Sequence, residues 1–296
     1  MKLSICVSTY NQVEYIGECL DSILNQIIDV PYEIVISDDF SSDGTRGLVS
    51  DYAARYPKII RDVSPSANGG PFKNYINVHA AATGEFVAHM DGDDVALPDK
   101  FTRQINFLQA NPRCNVVWHR MIFFDDRIEV VHPQVNYKFL EAAIDRREAC
   151  VLGPMGPHSS TMYRRENFRA TDFSGKCDDW LMALFYMSDG YALMLEGVLG
   201  KYRLRENSMS SAATATRANR ELSTSSQLMA LRYQPKLAPY IATRALANFV
   251  LDAMRGRSYC RLSWDILRQC HAFPLFWRAP QIYLYYRWSR KPSIFG

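Results

Sequence analysis

The sequence has no run of the ~20 consecutive apolar residues that a membrane-spanning helix needs. It also has no Cys-x-x-Cys pair and no internal repeat, and its seven cysteines are odd in number and widely scattered. The apolar stretch at the N-terminus is too short and too interrupted for a signal peptide. These absences argue against an integral membrane protein, a disulfide scaffold and a repeat protein. They predict free thiols in a cytoplasmic chain.

The composition is that of a folded globular protein, with 48% hydrophobic and 22% charged residues in a chain of 296. That length allows one large α/β domain with an appendage, or two domains. The net charge of +3 is unevenly distributed. From Arg217 onward thirteen Lys and Arg face only three acids, which leaves +10 there and −7 in the first 216 residues. The sequence therefore predicts an acidic body with a basic C-terminal part.

Hydrophobic periodicity in the first 110 residues predicts strands that alternate with helices four times. The predicted strands are Leu3 to Ser8, Tyr32 to Ser37, Ile59 to Val63 and Phe86 to Met90. The predicted helices are Glu14 to Gln26, a segment from the Ser42-Asp43-Gly44-Thr45 turn to about Tyr56, Phe72 to Ala82, and Asp99 to Ala110. This alternation is typical of a parallel sheet with helices on its faces, and such sheets bind ligands beyond the carboxyl ends of their strands.

The second half of the chain has a less regular pattern. The predicted extended segments are Val116 to Phe124, as a strand pair or one long strand, Ser160 to Arg164, and Tyr191 to Leu204. The predicted helices are Asp179 to Met187, Leu222 to Tyr233, Tyr240 to Met254, Leu262 to Cys270 and Ile282 to Trp288. Residues 207–226 are rich in Ser, Thr and Ala and predict a hinge or a mobile lid.

Polar clusters follow three of the predicted strands, at Thr9 to Asn11, Asp38-Asp39 and Asp91-Gly92-Asp93-Asp94. The last cluster, the acidic tetrad, places three carboxylates in four residues directly after an apolar strand. Such acids repel one another unless a cation lies among them, and a magnesium or manganese ion held by few carboxylates can still bind phosphate oxygens. Taken alone, the tetrad is equally compatible with a solvated acidic turn. The convergence of all three clusters favours a site for a phosphate-bearing ligand.

Together these motifs resemble family 2 glycosyltransferases of the GT-A fold, which also have counterparts of Val7-Ser8-Thr9, Ser42-Asp43-Gly44 and Gly84-Glu85-Phe86. The resemblance covers roughly the first 210 residues. It implies a Rossmann-like three-layer α/β sandwich with a mostly parallel central sheet. The expected domains are a catalytic domain over residues 1–210, with a nucleotide-binding half (1–110) and an acceptor-side half (111–210), and a basic, aromatic-rich helical extension over residues 211–296.

The resemblance also implies which residues bind the nucleotide of a sugar donor. Tyr10 would stack on the base, with Thr9 and Asn11 beside it, although a core aromatic is the alternative interpretation of Tyr10. Asp39 would accept the imide N–H of uracil. Asp38 would either hold its loop or reach the ribose.

Within the tetrad, the resemblance implies that Asp93 contacts the ribose and the metal. Asp94 would bind the metal, Mn²⁺ or Mg²⁺, that bridges the two donor phosphates. Asp91 and Gly92 would support the turn and the nucleotide. Two further positions depart from the family pattern but are expected near the nucleotide, namely Asn68 and, in place of an arginine, Lys73.

A second acidic pair lies in Cys177-Asp178-Asp179-Trp180, which resembles the family's two acids followed by an aromatic at the start of a helix. The resemblance implies that Asp179 is the general base that deprotonates the acceptor hydroxyl, with Asp178 as the second choice. The alternative is that both acids only stabilise the helix N-terminus through its dipole.

Three further side chains need an interpretation. Arg205 stands where many relatives have a histidine, and arginine would pair with phosphate rather than bind a metal. His158 precedes the strand expected to border the acceptor, so it would contact donor or acceptor sugar or serve only its loop. His89 lies within a buried strand and is predicted to be a hydrogen-bonded core histidine.

Arginines alternate with Trp and Tyr along the basic C-terminal part between Arg255 and Lys291. These residue types suit the headgroup region of an anionic membrane, and the alternative is that the aromatics pack on the catalytic domain or on another subunit. Because no nucleic-acid motif accompanies them, we expect no nucleic-acid partner. Peripheral contact would place the chain on the inner face of the cell membrane.

The sequence thus predicts an inverting transferase that moves a hexosyl or N-acetylhexosaminyl group from a nucleotide-sugar donor, with UDP-sugar favoured, to a cell-surface or lipid-linked glycan. One alternative is a catalytically silent protein that binds nucleotide sugar or scaffolds other enzymes. Another is a glycoside hydrolase, whose paired carboxylates need no nucleotide.

Overall fold

The computed structural model describes residues 1–131, 143–153, 156–170, 177–205, 217–254 and 260–270. They form two compact units. The first contains residues 1–131, 156–170 and 192–204, and the second contains residues 143–153, 177–191, 205, 217–254 and 260–270. The division into a catalytic domain over 1–210 and an extension over 211–296 stays a prediction.

A sheet of nine strands forms the centre of the first unit. Its strands are β1 (Leu3–Thr9), β2 (Tyr32–Asp38), β3 (Ile60–Asp62), β4 (Phe86–Asp91), β5 (Val95–Ala96), β6 (Cys114–Phe124), β7 (Glu129–Val131), β8 (Met162–Arg164) and β9 (Tyr191–Arg203). The spatial order is β3-β2-β1-β4-β8-β6-β9-β5, with β7 paired to β6. Strands β3, β2, β1 and β4 run parallel, whereas β8 is antiparallel to both β4 and β6.

Four helices of the first unit connect these strands: α1 (Ile16–Leu24), α2 (Thr45–Arg55), α3 (Pro71–Ala81) and α4 (Lys100–Ala110). Helix α1 buries Ile16, Cys19, Leu20 and Ile23, which recur at helical spacing. Helix α3 begins with proline, which suits a first turn because its missing N–H would have no partner there. The predicted α/β fold with a mostly parallel sheet is confirmed.

Strands β1, β2 and β4 are buried along almost their whole length. Their residues are mainly aliphatic because a parallel strand in such a fold is covered on both faces and has no solvent-facing side. Ser4 is one polar group inside this core that is paired, since its hydroxyl donates to Glu33 at 2.6 Å. A rigid parallel core therefore supports the loops at its carboxyl edge.

Helices make up most of the second unit: α5 (Arg146–Leu152), α6 (Asp179–Met187), α7 (Arg217–Tyr233), α8 (Ala238–Met254) and α9 (Cys260–Cys270). Helix α5 begins with a capping box between Asp145 and Glu148. The indole N–H of Trp180 donates to the Ala149 carbonyl at 2.9 Å, which ties α6 to α5. No helix in the described part of the chain combines the length and hydrophobicity that crossing a bilayer requires.

Several predicted boundaries need correction. Residues 217–226 begin α7, so this part of the predicted hinge is helical, and residues 207–216 lie outside the described residues. The segment Val116 to Phe124 belongs to one long strand, β6. Strand β8 starts only at Met162, because residues 158–160 form a 3₁₀ turn. Short elements β5, β7 and α5 were not predicted, and the predicted helix Ile282 to Trp288 lies outside the described residues.

Candidate active site

Strand register brings the three polar clusters to one edge of the sheet. Thr9 lies opposite Asp38 across β1 and β2, and Ser8 lies opposite Asp91 across β1 and β4. The chain leaves both neighbouring strands at this level, with Asp39 N donating to Thr9 O at 3.0 Å and Gly92 N donating to Ser8 O at 2.9 Å. Residues 9–11, 38–39 and 91–94 are therefore adjacent, as the sequence predicts.

The tetrad turn packs directly on the loop after β1. A Cβ atom at Gly92 would lie 2.7 Å from Gln12 Oε1 and 2.8 Å from Thr9 Oγ1, so only glycine fits there. Thr9 and Gln12 are themselves joined by a 2.7 Å hydrogen bond. Gln12 was not predicted as a site residue, because nothing in the sequence shows that the tetrad turn approaches it.

Asp93 and Asp94 are both buried, with 8% and 1% of their surface exposed. Asp94 Oδ1 accepts a 2.9 Å hydrogen bond from Arg203 N, whereas Oδ2 is buried and has no hydrogen-bond partner. Burial, reinforced by the charges of Asp93 and Asp91, raises the pKa of the Asp94 carboxyl well above its usual range. A buried carboxylate oxygen that lacks a donor fits a divalent cation with oxygen ligands.

Arg203, at the end of β9, is a cationic side chain that contacts the tetrad. Its Nε donates to Asp93 O at 3.0 Å, and its guanidinium forms an ion pair with Glu18. The guanidinium also lies 4.4 Å from the centre of the Phe124 ring. Arg205, which the sequence predicts to pair with phosphate, belongs to the second unit, and its role stays a prediction.

A buried lysine, Lys100 of α4, lies below the tetrad. Its Nζ donates to Ser159 O at 2.6 Å. Burial lowers its pKa to about 7, although the charges of Asp94 and Asp91 oppose this shift. The sequence showed only an ordinary lysine in the first turn of a helix, so this cation near the acids was not predicted.

Asp39 holds the loop before α3. Its two carboxylate oxygens accept hydrogen bonds from Gly69 N and Gly70 N, each at 2.8 Å, and its carbonyl accepts from Asn68 Nδ2 at 2.8 Å. Lys73, one turn into α3, is exposed and packs its stem beside Gly69. Asp39, Asn68 and Lys73 thus lie together.

Asp38 and Asn11 organise the loop after β2. Asp38 accepts from both the backbone N–H and the hydroxyl of Ser41, which agrees with the loop-holding alternative. Asn11 adopts a left-handed backbone with φ of 49°, and its Oδ1 accepts from Ser42 N at 3.0 Å. Tyr10 is 48% exposed and is therefore not a core aromatic. Its ring is accessible at this edge of the sheet.

A chain of hydrogen-bonding side chains ends on Asp91. Tyr163 Oη lies 2.7 Å from His79 Nδ1, His79 Nε2 lies 3.0 Å from His89 Nδ1, and His89 Nε2 lies 3.1 Å from Asp91 Oδ1. His158 Nδ1 lies 3.5 Å from Asp91 Oδ2. Burial opposes ionisation of Asp91, but His158 and His89 hold its pKa well below the usual range. His89 is a hydrogen-bonded core histidine, as predicted.

The second unit holds the other acidic pair. Asp178 is the N-cap of α6, and its carboxylate accepts from Leu181 N at 3.1 Å, while its own N–H donates to Ser226 Oγ at 2.8 Å. Burial raises the pKa of Asp178, although Arg244 opposes the shift. Asp179 lies in the first turn of α6 with an exposed side chain. The helix-stabilising role is thus observed for Asp178.

Comparison with known proteins shows the family to which the chain belongs. The family model described as "Glycosyl transferase family 2" matches residues 4–171. An uncharacterized protein of Mycobacterium tuberculosis, Rv1520, is 31% identical over 205 residues, covering 68% of this chain and 58% of that protein. The chain therefore spans little more than half the length of that relative. An uncharacterized glycosyltransferase of Nostoc, alr2836, is 28% identical and covers 90% of this chain and 85% of that protein.

Solved structures share the fold. The Staphylococcus aureus protein TarS, in complex with UDP-GlcNAc, superposes with a TM-score of 0.69 at 20% identity, covering 98% of this chain and 88% of that one. The mannosyltransferase PcManGT of Pyrobaculum calidifontis, in complex with GDP-mannose and Mn²⁺, superposes with a TM-score of 0.63 at 21% identity. The match covers 97% of this chain and 81% of that one. These likenesses establish the GT-A fold for this chain.

Proposed function

We propose a donor, an acceptor class and a mechanism for this chain, which belongs to glycosyl transferase family 2 and is a glycosyltransferase. The donor is a UDP-sugar, from which a hexosyl or N-acetylhexosaminyl group moves to a hydroxyl of a cell-surface or lipid-linked glycan. Transfer inverts the anomeric configuration. The observation that carries the proposal is the buried, partner-free Oδ2 of Asp94 beside Asp93 at the end of β4.

The proposed donor site follows the carboxyl edge of the sheet. Tyr10 stacks on the uracil ring, and Asp39 accepts its imide N–H in addition to the bonds from the loop at residues 69–70. A carboxylate oxygen has two lone pairs, so Asp39 can hold that loop and the base together. Asn68 and Lys73 lie on the loop side of the same pocket and contact the nucleotide.

Asp93 and Asp94 hold the divalent metal, Mn²⁺ or Mg²⁺, with Asp93 also contacting the ribose. When bound, the metal neutralises charge on the departing diphosphate. Arg203 N fixes one oxygen of Asp94, which leaves the second oxygen for the cation. The Mn²⁺ in the PcManGT complex supports this choice of ion class.

Asp179 acts as the general base in this proposal, and its exposed position at the start of α6 supports the choice over Asp178, which caps the helix. Asp179 takes the proton of the acceptor hydroxyl. The oxygen then forms a bond to the anomeric carbon from the face opposite the diphosphate. The bond from that carbon to the phosphate oxygen breaks, UDP leaves, and inversion follows.

Contact with an anionic membrane through the C-terminal part completes the proposal. Helix α9 presents Arg261, Trp264 and Arg268 at helical spacing, all exposed, and the Trp264 side chain is 51% exposed. Residues 271–296, which include most of the aromatic and basic side chains considered above, lie outside the described residues. Sedimentation with vesicles that contain phosphatidylglycerol tests this contact. Binding to neutral phosphatidylcholine vesicles to the same extent would contradict it.

A thermal-shift screen of nucleotides and nucleotide sugars, with and without Mn²⁺, tests the donor assignment. We expect UDP and UDP-sugars to raise the melting temperature only when Mn²⁺ is present. Slow, metal-dependent hydrolysis of the same sugar donor would then separate an active transferase from a silent binder. If no nucleoside diphosphate shifts the melting temperature, the donor assignment is wrong. Release of sugar from a glycan without nucleotide would indicate a hydrolase.

A further inference from the structure

Asp91 and two histidines bring metal-ligand atoms close together outside the Asp93–Asp94 pair. His89, Asp91 and His158 each offer one atom, and the three atoms lie within 4.8 Å of one another. The described part of the chain contains no second group of three His, Cys, Asp or Glu residues with this spacing. We name this group the His-Asp-His trio.

Distances within the trio are those of ligands that share one ion. His89 Nε2 lies 3.1 Å from Asp91 Oδ1, and His158 Nδ1 lies 3.5 Å from Asp91 Oδ2. Two nitrogen or oxygen ligands, each about 2.0–2.2 Å from a zinc ion, lie at similar separations in a tetrahedral site. The His158 and Asp91 side chains are 20% and 30% exposed, so an ion can reach the trio from solvent.

A supporting group stands behind the trio. A histidine that binds a metal through one nitrogen usually donates its other N–H to an acceptor, which sets the ring orientation. His89 Nδ1 lies 3.0 Å from His79 Nε2, and His79 Nδ1 lies 2.7 Å from Tyr163 Oη. Both histidine rings are fully buried, so these contacts hold the His89 ring with Nε2 directed at Asp91.

The types of ligand distinguish the trio from the metal site predicted at Asp93 and Asp94. Imidazole nitrogens favour zinc and similar transition ions, whereas an all-carboxylate pair suits magnesium and manganese. Both oxygens of Asp91 are directed at the histidines, while Asp94 Oδ2 has no partner of its own. We propose that His89, Asp91 and His158 form a second cation site, which takes a borderline divalent transition metal such as Zn²⁺.

The proposal predicts a change of tautomer. Without metal, the ionised Asp91 can only accept hydrogen bonds, so His89 carries its proton on Nε2. His79 then donates to His89 from Nε2, and Tyr163 donates to His79 Nδ1. A metal at His89 Nε2 requires a bare nitrogen. The His89 proton then moves to Nδ1, which donates to His79 Nε2. The His79 proton moves to Nδ1, which donates to Tyr163 Oη. Both rings stay neutral and no proton is released from them.

Zinc titration of the metal-free, full-length protein by isothermal calorimetry tests the proposal, in the absence of any nucleotide. We expect one Zn²⁺ per chain in the wild type and in Asp94→Asn, which removes the other metal ligand. His158→Ala should weaken binding by at least about tenfold, since the loss of outer partners alone costs that much in known sites. Because His158 is partly exposed, this variant should fold, and circular dichroism checks that it does.

Nitrogen-15 NMR of the wild-type histidine rings gives a readout that needs no variant. We expect zinc to move the protonated nitrogen of His79 and His89 from Nε2 to Nδ1. The proposal is overturned if zinc does not bind, if His158→Ala binds as tightly as the wild type, if Asp94→Asn abolishes binding, or if zinc leaves both tautomers unchanged. None of these outcomes depends on the donor assignment, which the thermal-shift screen tests separately.

Discussion

The two acidic pairs of this chain are held in opposite ways. Asp93 and Asp94 are buried, and one oxygen of Asp94 has no hydrogen-bond partner. Asp178 caps α6, and Asp179 is exposed beside it. In the first pair a buried oxygen lacks a donor, whereas in the second pair Asp178 accepts a hydrogen bond from a helix N–H. Adjacent acids therefore do not by themselves indicate one kind of chemistry.

The strongest way to test this contrast is to remove the charge of Asp94. Asp94→Asn should lower transfer by roughly 100- to 1000-fold, because a preorganised contact to the leaving group is lost. In metal-free buffer the same variant should melt at a higher temperature than the wild type, because it removes a buried like charge. Steady-state rates and melting curves check both effects. Asp126→Asn, at an exposed acid of the same unit, is the control and should change neither.

The second pair should separate into one catalytic and one structural acid. Asp179→Asn should reduce transfer by about 100- to 10,000-fold at unchanged melting temperature, as expected for loss of a general base. Asp178→Ala should cost about 0.5–2 kcal/mol of unfolding free energy, because α6 loses its N-cap. Chemical denaturation measures the unfolding free energy, and initial rates measure transfer. If Asp178→Ala lowers transfer and Asp179→Asn lowers the free energy of unfolding instead, Asp178 is the general base.

Close packing under the first pair predicts a stability effect. Gly92→Ala should lower the free energy of unfolding by about 1–3 kcal/mol, because the added Cβ overlaps Gln12 and Thr9. Gly47→Ala is the matched control, since an added Cβ there would meet no atom within 4 Å. Urea denaturation compares them. Equal losses at both glycines would show that the tetrad turn is less tightly packed than described.

Lys100, the cation near the first pair, should make the stability of the protein depend on pH. Its pKa is lowered to about 7 in the folded protein, while an unfolded lysine titrates near ~10.4. Between these values the unfolded state binds more protons, so this group makes stability rise with pH from about 7 to ~10.4. Lys100→Met should flatten that rise in metal-free protein, and Lys58→Met, at an exposed lysine, should not. A rise that persists in Lys100→Met would contradict the assignment.

Much of the nucleotide half could be predicted from the sequence. The strands β1, β2 and β4 end within one residue of their predicted positions, because aliphatic runs that stop at polar residues are unambiguous. The secondary structure of the second half was harder to predict. Residue 217 begins a helix where Ser, Thr and Ala suggested a hinge, since weak local propensity is overridden by packing. The antiparallel insertion of β8 beside β4 leaves no local signal at all.

The sequence by itself determined the α/β fold, the family and the identity of the acids, because periodicity and short motifs are local properties of the chain. Only the tertiary structure decided which cation meets those acids. Arg203 contacts the tetrad, Lys100 lies near it, and His79, His89 and His158 gather behind Asp91. These residues come from α3, α4, β4, β9 and the turn at residue 158. Such neighbours are set by strand order and register, which no local pattern encodes.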